Sequence, residues 1–495
     1  MNDASKTSRA AMGDSVDPAR EPRHVHAEAG TPTAPRALPA APVRVAFVQG
    51  TITVENLGTH ASLAPSSLRF DPRTGCHRAP AHAYAELILW LRANAVPFVD
   101  DARRYDDLVL GNLARQEPFF YQREAIQAWE AAGGRGVVVL PTGAGKTFVA
   151  VMAIDRRARS TLVVVPTLDL LHQWFDLLEA AFACAIGIVG GGYYEPKPIT
   201  VTTYDSAYLH MDKLGDRFGL VVFDECHHLP SESYSTAARA CLAPLRLGLT
   251  ATPERTDGGE ARYHEVLGPV VYRKDIDELS GTYLASYETQ RIEVDLTVAE
   301  RTEYVEERAI YTGFLRLHGI RMSQPSGWGE FLALASRTAD GRRAFVAYRR
   351  QRQLALTATE KLATLERLLH AHRHDRVLVF TDDNATAYAI AERFLVAVIT
   401  HHTKVKERSL ILAAFNRGTL GVVVTSKVLN EGVNVPDANV AVVLSGSGSV
   451  REHVQRLGRI LRKREHKRAI LYELVSRNTA EVTTSEKRRE HRAYK

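Results

Sequence analysis

A glycine-rich turn between two apolar segments is the strongest chemical signal in the sequence. Residues 141–147 read Pro-Thr-Gly-Ala-Gly-Lys-Thr, follow the β-branched run Val137–Leu140 and precede an apolar stretch with helical spacing. The backbone N–H groups of such a turn and the positive end of the following helix form a cradle for phosphate groups. The lysine supplies a cation for the β- and γ-phosphates, and the last threonine supplies a hydroxyl ligand for Mg²⁺. The turn therefore predicts a nucleoside-triphosphate site, although Leu140 stands where the strict GxxxxGK[ST] pattern has glycine. The predicted nucleotide-binding residues of this turn are Thr142, Gly143, Ala144, Gly145, Lys146 and Thr147.

A pair of acidic residues supports the same site. Asp224 and Glu225 follow the apolar run Leu220–Phe223 directly. Two carboxylates at the end of a buried strand repel one another unless a cation lies between them. We expect Asp224 to hold Mg²⁺ and Glu225 to orient or deprotonate the attacking water, which together predicts ATP hydrolysis. The alternative is an exposed acidic turn; a zinc site formed with the neighbouring Cys226 and His227 lacks a second Cys/His pair at ligand spacing.

The elements that must position these residues form two similar sets. Apolar β-branched runs alternate with helical stretches, which is typical of parallel sheets covered on both faces. The first set of runs is Val137–Leu140, Leu162–Val165, Ile199–Val201, Leu220–Phe223 and Leu247–Thr250; the second is Val377–Phe380, Val396–Ile399, Val422–Thr425, Val440–Leu444 and Ala469–Leu474. The fold class predicted is α/β, with two similar parallel-sheet domains in tandem.

Three further regions complete the predicted organisation. Residues 1–41 are rich in small and polar residues and are expected to be disordered. Alternation around a Gln49-Gly50 turn predicts a hairpin in a small α+β module, and a charged helical segment without strand signals predicts an insert. The predicted boundaries are 1–41 for the tail, 42–115 for the N-terminal module, 116–290 for the first domain, 291–357 for the insert, and 358–495 for the second domain.

Composition narrows the class of protein. The chain has 495 residues, 45% hydrophobic and 24% charged, which excludes a wholly disordered or fibrous protein. Four cysteines without CxxC spacing favour a reducing, cytoplasmic setting, and no apolar run is long enough to cross a membrane. Residues 451–495 carry 14 Lys and Arg against 6 Asp and Glu, although the whole chain has a net charge of only +6. This basic end predicts an anionic partner, unless it is simply a solvated tail.

The order of four segments resembles that of superfamily 2 helicases. PTGAGKT at 141–147, DECH at 224–227, Thr250-Ala251-Thr252 and QRLGRILR at 455–462 occur in sequence. The stretch SKVLNEGVNVPDANVAVVLSGSGSVREHVQRLGRILRK further resembles the XPB (xeroderma pigmentosum group B) branch of that superfamily. The resemblance covers about residues 119–478 and is weak before residue 115, where the N-terminal module matches the family's damage-recognition domain in position alone. The resemblance implies that the two α/β domains are RecA-like, with ATP in the cleft between them, and that the helical insert corresponds to the family's thumb.

The resemblance implies roles for particular residues. Gln122 stands at the adenine-reading glutamine, and Thr250 and Thr252 stand at the motif that couples hydrolysis to domain movement. The last motif supplies further catalytic candidates, of which the arginines would act as fingers on the γ-phosphate: Gln455, Arg459 and Arg462. The chain departs from the family at Gly432-Val433-Asn434, where Gly-Val-Asp is usual and Gly432 is a predicted nucleotide contact, and at Glu254–Asp257, where Arg-Glu-Asp is expected.

Hydroxyl and amide side chains at predicted strand ends suit the phosphate oxygens of a nucleic-acid strand. These predicted contacts are Thr167, Thr203, Thr381, Thr425 and Asn430. In the insert, Arg349 and Arg350 are predicted to bind phosphate, with Phe345 and Tyr348 nearby either stacking on a base or forming core.

The function expected is that of an ATP- and Mg²⁺-dependent DNA helicase or translocase. By resemblance its direction is 3′→5′, its setting is DNA repair or transcription-linked repair, and a nuclease is a possible partner. Its substrate would be single-stranded or forked DNA, and its location the cytoplasm, on the nucleoid in a bacterium. Three alternatives remain open: a duplex translocase or restriction or remodelling motor without strand separation, an ATP-dependent scaffold that clamps DNA with little turnover, and an enzyme acting on RNA.

Overall fold

The computed structural model describes residues 41–111, 117–253, 260–281, 283–324, 326–426, 428, 438–446 and 468–489. The chain divides into residues 1–41 and residues 42–495, and the architecture below is that of the second unit. The prediction of a disordered tail concerns residues that, except for Ala41, lie outside the described set. Within that set no helix has both the length and the apolar character needed to span a membrane.

A five-stranded sheet with one helix forms the N-terminal module. Strands β1 and β2 form the predicted antiparallel hairpin, whose turn residues Gln49 and Gly50 both have positive φ. The sheet order is β3-β4-β2-β1-β5, and its apolar face packs against α1. The elements are β1 (Val43–Val48), β2 (Thr51–Glu55), β3 (Arg69–Asp71), β4 (Cys76–Pro80), α1 (Tyr84–Ala93) and β5 (Phe98–Asp100), with 3-10 turns at Gly58–Leu63 and Ala81–Ala83.

An eight-stranded sheet follows, in the order β13-β6-β12-β11-β7-β10-β8-β9. Every pairing is parallel except that of β8 with β9, and β7, β10 and β11 are buried along their whole length. The strands are β6 (Arg135–Val139), β7 (Thr161–Val165), β8 (Ile186–Gly190), β9 (Tyr193–Glu195), β10 (Ile199–Thr203), β11 (Leu220–Asp224), β12 (Leu245–Thr250) and β13 (Val270–Arg273). The helices are α2 (Phe120–Ala131), α3 (Lys146–Arg157), α4 (Leu168–Ala181), α5 (Tyr204–Leu214), α6 (Glu232–Arg239), α7 (Glu260–Leu267) and α8 (Ile276–Leu279).

Three helices form the insert: α9 (Val298–Leu317), α10 (Gly327–Arg337) and α11 (Ala339–Leu356). They enclose a small aromatic cluster that includes Tyr311, Phe314 and Phe331. Phe345 and Tyr348 pack against this cluster. Of the two readings of these aromatics, core packing is therefore the one observed.

A second sheet has six strands, all parallel, in the order β14-β19-β18-β15-β17-β16. Its elements are β14 (Ser286–Val294), α12 (Thr359–Ala371), β15 (Val377–Phe380), α13 (Asn384–Phe394), β16 (Ala397–Ile399), α14 (Val405–Asn416), β17 (Val422–Thr425), β18 (Val440–Val443), β19 (Arg468–Ser476) and α15 (Ala480–Arg489). The prediction of an α/β fold with two parallel sheets is confirmed, and each predicted run coincides with a strand to within two residues at either end. Sequence reasoning missed β14, which crosses the predicted boundary between residues 290 and 291 and pairs with β19 along its whole length.

Candidate nucleotide and nucleic-acid site

The predicted phosphate loop joins the carboxyl end of β6 to the first residue of α3, Lys146. Gly143 and Gly145 have φ values of 89° and 76°, which side chains with a Cβ rarely adopt. A Cβ at Gly145 would also lie 2.5 Å from Nε2 of Gln122. The turn therefore needs glycine at these positions, and it leaves its backbone N–H groups at the N-terminus of α3, where an anion is favoured.

Two side chains of the loop are consistent with phosphate binding. The Lys146 side chain is almost fully buried, and its Nζ donates a hydrogen bond to the carbonyl oxygen of Leu140 at 3.3 Å. The Thr142 hydroxyl is buried and has no hydrogen-bond partner among the described residues. A buried hydroxyl without a partner costs free energy, which a phosphate oxygen in the cradle would remove. The loop thus fits the triphosphate that its sequence predicts.

The acidic pair lies at the carboxyl end of β11. In the sheet, β12 is the neighbour of β11, and the strand after β12 is β6, which leads into the phosphate loop. The pKa of Asp224 is raised to about 6, first by burial and then by the negative charge of Glu225, against the opposing effects of a hydrogen bond from Trp174 and the charge of Lys146. The Asp224 carboxylate accepts hydrogen bonds from Nε1 of Trp174 at 2.9 Å and from the backbone N–H of Glu225 at 3.0 Å. A buried carboxylate beside a second one favours a bound cation.

Glu225 itself has an unusual backbone. Its φ is 48°, in the left-handed region that a residue with a Cβ enters only at a cost. Its Oε2 is buried and accepts no hydrogen bond among the described residues, although Nδ1 of His227 lies 3.5 Å away. The described residues contain no cluster of three or more His, Cys, Asp or Glu able to hold a metal ion. A Mg²⁺ ion held by Asp224 and Thr147 would therefore take its remaining ligands from phosphate oxygens and water, as this ion commonly does.

A hydrogen-bond chain joins the acidic strand to the end of β12. His227 and Thr250 lie with Nδ1 and Oγ1 3.1 Å apart, and Thr250 Oγ1 accepts the backbone N–H of Thr252 at 3.2 Å. Both threonines are buried. These contacts connect the predicted coupling motif directly to the residues beside Glu225.

Gln122 lies against the phosphate loop, with both polar atoms of its side chain engaged. Its Oε1 accepts the backbone N–H of Phe119 at 3.0 Å, and its Nε2 donates to the carbonyl of Ala144 at 3.1 Å. The Tyr121 hydroxyl donates to the same carbonyl at 3.0 Å. In this conformation the Gln122 side chain therefore stabilises the phosphate loop. To form hydrogen bonds with an adenine, it would have to break its bonds to Phe119 and Ala144.

An aromatic group beside Gln122 offers a face for a base. Phe119 and Phe120 are exposed by 41% and 38%, and both rings contact Tyr283. Sequence reasoning missed Tyr283, which is far along the chain in a segment without a motif. Only the tertiary structure brings it to this position.

The predicted nucleic-acid contacts differ in accessibility. Thr167 and Thr203 are the N-caps of α4 and α5, and their hydroxyls accept the backbone N–H groups of Leu170 and Ser206. They lie at the carboxyl ends of β7 and β10, the edge where parallel sheets bind ligands. Thr381 and Thr425 also lie at strand ends. Thr167 is partly exposed, whereas Thr203 is only 6% exposed and Thr381 and Thr425 are fully buried, which argues against contact between these three buried hydroxyls and a nucleic-acid strand in this conformation.

The two predicted arginines of the insert also differ. Arg350 binds Glu303 through two hydrogen bonds of 2.5 and 2.8 Å, so its guanidinium links α11 to α9. Arg349 is exposed and forms no ion pair with the described residues. Arg349 is therefore the better placed of the two to bind phosphate.

The units built on the two large sheets are in contact. Asp169 of α4 forms an ion pair with Arg408 of α14, and both side chains are largely buried. The remaining predicted site residues lie outside the described part of the chain: Asn430, Gly432, Gln455, Arg459 and Arg462. The departures at Asn434 and at Glu254–Asp257 lie outside it too.

Three family models match the chain. Residues 45–102 match the damage recognition domain of the xeroderma pigmentosum group B helicase, residues 115–255 match the res subunit of type III restriction enzymes, and residues 342–493 match the C-terminal helicase of the ERCC3/RAD25/XPB group. The N-terminal match agrees with the expectation based on position.

Curated relatives point in the same direction. The DNA 3′-5′ translocase XPB2 of Sulfurisphaera tokodaii is 43% identical over 75% of this chain and 84% of its own length. The DNA 3′-5′ helicases XPB of Kineococcus radiotolerans and Mycobacterium tuberculosis are each 32% identical, over 79% and 73% of this chain. The chain spans 65% and 61% of those two bacterial proteins.

A solved structure supports the fold. The crystal structure of the Pyrococcus furiosus Hef helicase domain aligns with 76% of this chain and 99% of its own, with a TM-score of 0.52 and 19% identity. At this identity the likeness concerns the architecture of the two parallel sheets. The archaeal relative and the family models, by contrast, lead to one conclusion: the chain belongs to the XPB family of DNA helicases and translocases.

Proposed function

We propose that this chain is an ATP-hydrolysing motor that translocates 3′→5′ on DNA and separates strands in DNA repair or transcription-linked repair. One observation supports this above all: the phosphate loop, the acidic pair and the N-termini of α4 and α5 all lie at the carboxyl edge of one parallel sheet. Nucleotide and nucleic acid would thus bind within reach of the same strands.

The nucleotide half of the proposal assigns each residue one task. The N–H groups of the loop at residues 142–147 and the Lys146 ammonium hold the β- and γ-phosphates. Asp224 and Thr147 would hold Mg²⁺, and the ion would supply positive charge to the phosphate oxygens. Glu225, with one buried oxygen left without a hydrogen bond among the described residues, orients the attacking water and accepts its proton. Arg459 and Arg462 remain predicted arginine fingers.

The nucleic-acid half rests on helix N-termini and on one arginine. Thr167 and Thr203 place backbone N–H groups and the positive ends of α4 and α5 toward a strand's phosphates. Arg349 adds an exposed cation from the insert. Such contacts fix the position of a strand without reading its sequence, as a motor requires.

Two other functions follow from the same residues. A duplex translocase without strand separation is supported by the relative from Sulfurisphaera tokodaii, which is named a DNA 3′-5′ translocase. A clamp with little turnover, recruiting a nuclease, would use the same binding residues. A motor acting on DNA would work in the cytoplasm, on the nucleoid if the cell is bacterial.

A substrate comparison separates these functions. ATP turnover and strand displacement would be measured with single-stranded DNA, forked DNA, blunt duplex and RNA of equal length. A helicase gives the highest turnover on single-stranded or forked DNA and releases a strand from the fork. Stimulation by duplex without a released strand would favour the translocase, and tight binding with negligible turnover would favour the clamp. Stimulation by RNA alone would refute DNA as the substrate.

A further inference from the structure

Two buried aromatic side chains from different helices hold Asp224. Trp174 of α4 donates its indole N–H to Oδ2 at 2.9 Å, and Tyr204 of α5 donates its hydroxyl to the backbone carbonyl of Asp224 at 3.0 Å. Each aromatic side chain is only 2% exposed. The side chain and the backbone of Asp224 are thus each fixed by a different helix.

The same two helices carry the predicted nucleic-acid contacts. Thr167 caps α4 seven residues before Trp174, a distance of about 10 Å along the helix axis. Thr203 caps α5 immediately before Tyr204. Since a helix moves as a rigid element, a shift at either N-terminus is carried to the aromatic side chain that contacts Asp224.

A purely structural role does not account for the acceptor that Trp174 uses. Trp129 is also buried, and its indole N–H donates to the backbone carbonyl of Arg246 at 2.9 Å, which satisfies the donor inside the core. Trp174 instead donates to the carboxylate that is expected to bind Mg²⁺. Hydrogen bonds to such carboxylates orient them toward the metal.

We propose that Trp174 and Tyr204 are positioning residues that couple DNA contact at the N-termini of α4 and α5 to the orientation of Asp224. The inference rests on the proposed function, because it requires a DNA strand at these helices. A strand held by both N-termini fixes the two helices against the sheet. The Asp224 carboxylate then keeps the orientation in which its free lone pairs face the cation, and hydrolysis becomes faster when DNA is bound.

The test removes each donor while keeping its ring. Trp174→Phe and Tyr204→Phe would be compared with wild type for ATP turnover against Mg²⁺ concentration, with and without DNA. Loss of a hydrogen bond to a metal-binding group typically costs 10-fold or more in affinity or activity. We expect DNA-stimulated turnover to fall roughly 10-fold in each variant and the half-saturating Mg²⁺ concentration to rise. Affinity for DNA should stay at the wild-type value, because neither side chain contacts the strand.

Matched controls are available in the same domain. Trp129→Phe loses a buried indole donor to a carbonyl, and Tyr234→Phe loses a hydroxyl that donates to Asp205 at 2.8 Å beside Tyr204. Both controls should keep the wild-type ratio of DNA-stimulated to basal turnover. Thermal melting of all four variants identifies any loss of folding. If Trp174→Phe is unfolded, Tyr204→Phe alone tests the proposed coupling, because this substitution removes only one oxygen atom.

Two results would overturn the inference. The first is an unchanged stimulation ratio and Mg²⁺ dependence in Tyr204→Phe and in folded Trp174→Phe. The second is an equal loss in the two controls. If wild type itself shows no stimulation by DNA, the proposed function fails, and that outcome is distinguishable because it precedes any comparison of variants.

Discussion

His82 provides a pH-dependent test of how the N-terminal module joins the first helicase domain. Its side chain lies in the turn before α1; Nδ1 is buried without a hydrogen-bond partner among the described residues, and Nε2 lies 4.0 Å from the Glu265 carboxylate. The pKa of His82 is lowered from 6.5 to about 4, first by burial and then by the positive charge of Arg246, against the opposing charge of Glu265. Arg246 is itself fully buried, and it donates hydrogen bonds to the carbonyls of four residues.

The sign of the effect follows from the two states of the chain. Well above pH 6.5 His82 is neutral whether the chain is folded or unfolded, so its titration does not affect the free energy of unfolding. As the pH falls from 6.5 toward 4, His82 binds a proton in the unfolded chain but not in the folded chain, so the free energy of unfolding decreases. A pKa lowered from 6.5 to about 4 corresponds to a loss of about 3 kcal/mol at most, at roughly 1.4 kcal/mol per pKa unit.

The assay is urea unfolding of wild type and His82→Gln at a series of pH values between 7 and 4. The variant has no titrating group at this position, so its free energy of unfolding should rise relative to that of wild type by up to ~3 kcal/mol as the pH falls. His60→Gln, at an exposed histidine of the same module, is the control for the general effect of replacing histidine with glutamine. Parallel curves for wild type and His82→Gln would refute the reasoning, because they would mean that His82 is protonated equally in both states.

The remaining predictions concern the motor. Lys146→Ala should abolish ATP hydrolysis, because the phosphate loop loses its cation, and wild-type turnover in a colorimetric phosphate assay would contradict the assignment. Glu225→Gln should retain ATP binding, measured by a fluorescent analogue, while turnover falls by about 10²–10⁴-fold, because the glutamine accepts no proton; loss of binding would assign Glu225 a structural role. Arg349→Ala should lower the slope of log Kd for DNA against log salt by about one, whereas Arg343→Ala should leave it unchanged, since Arg343 is engaged by Glu307.

The sequence predicts the repeated part of the fold well because its strands are buried on both faces. Runs such as Leu220–Phe223 are wholly apolar and short, and they coincide with strands of the structure. Strand β14 was not predicted because it lies at the edge of its sheet and its sequence, Ser-Tyr-Glu-Thr-Gln-Arg-Ile-Glu-Val, consists mainly of polar residues. Its pairing with β19 depends on residues almost two hundred positions away, which no local pattern reveals.

In the candidate site, too, features that depend on local motifs were predictable, and contacts between distant segments were not. Motifs with fixed spacing predict the phosphate loop, and the structure gives Gly143 and Gly145 the positive φ that such a turn requires. Contacts between distant segments were not predictable: neither Tyr283 beside Phe119 nor Trp174 against Asp224 leaves a signal in the sequence. The burial of threonine hydroxyls at strand ends likewise depends on packing that the sequence does not encode locally.

Directional movement on DNA tests the central claim most directly. Single-stranded oligonucleotides carrying streptavidin at either the 3′ or the 5′ end would be incubated with the full chain, ATP and Mg²⁺, and streptavidin release would be followed over time with Lys146→Ala as the inactive control. The proposed motor moves 3′→5′, so it should release streptavidin from the 5′ end only, and only with ATP and an intact Lys146. Equal release from both ends, or release by Lys146→Ala, would contradict it.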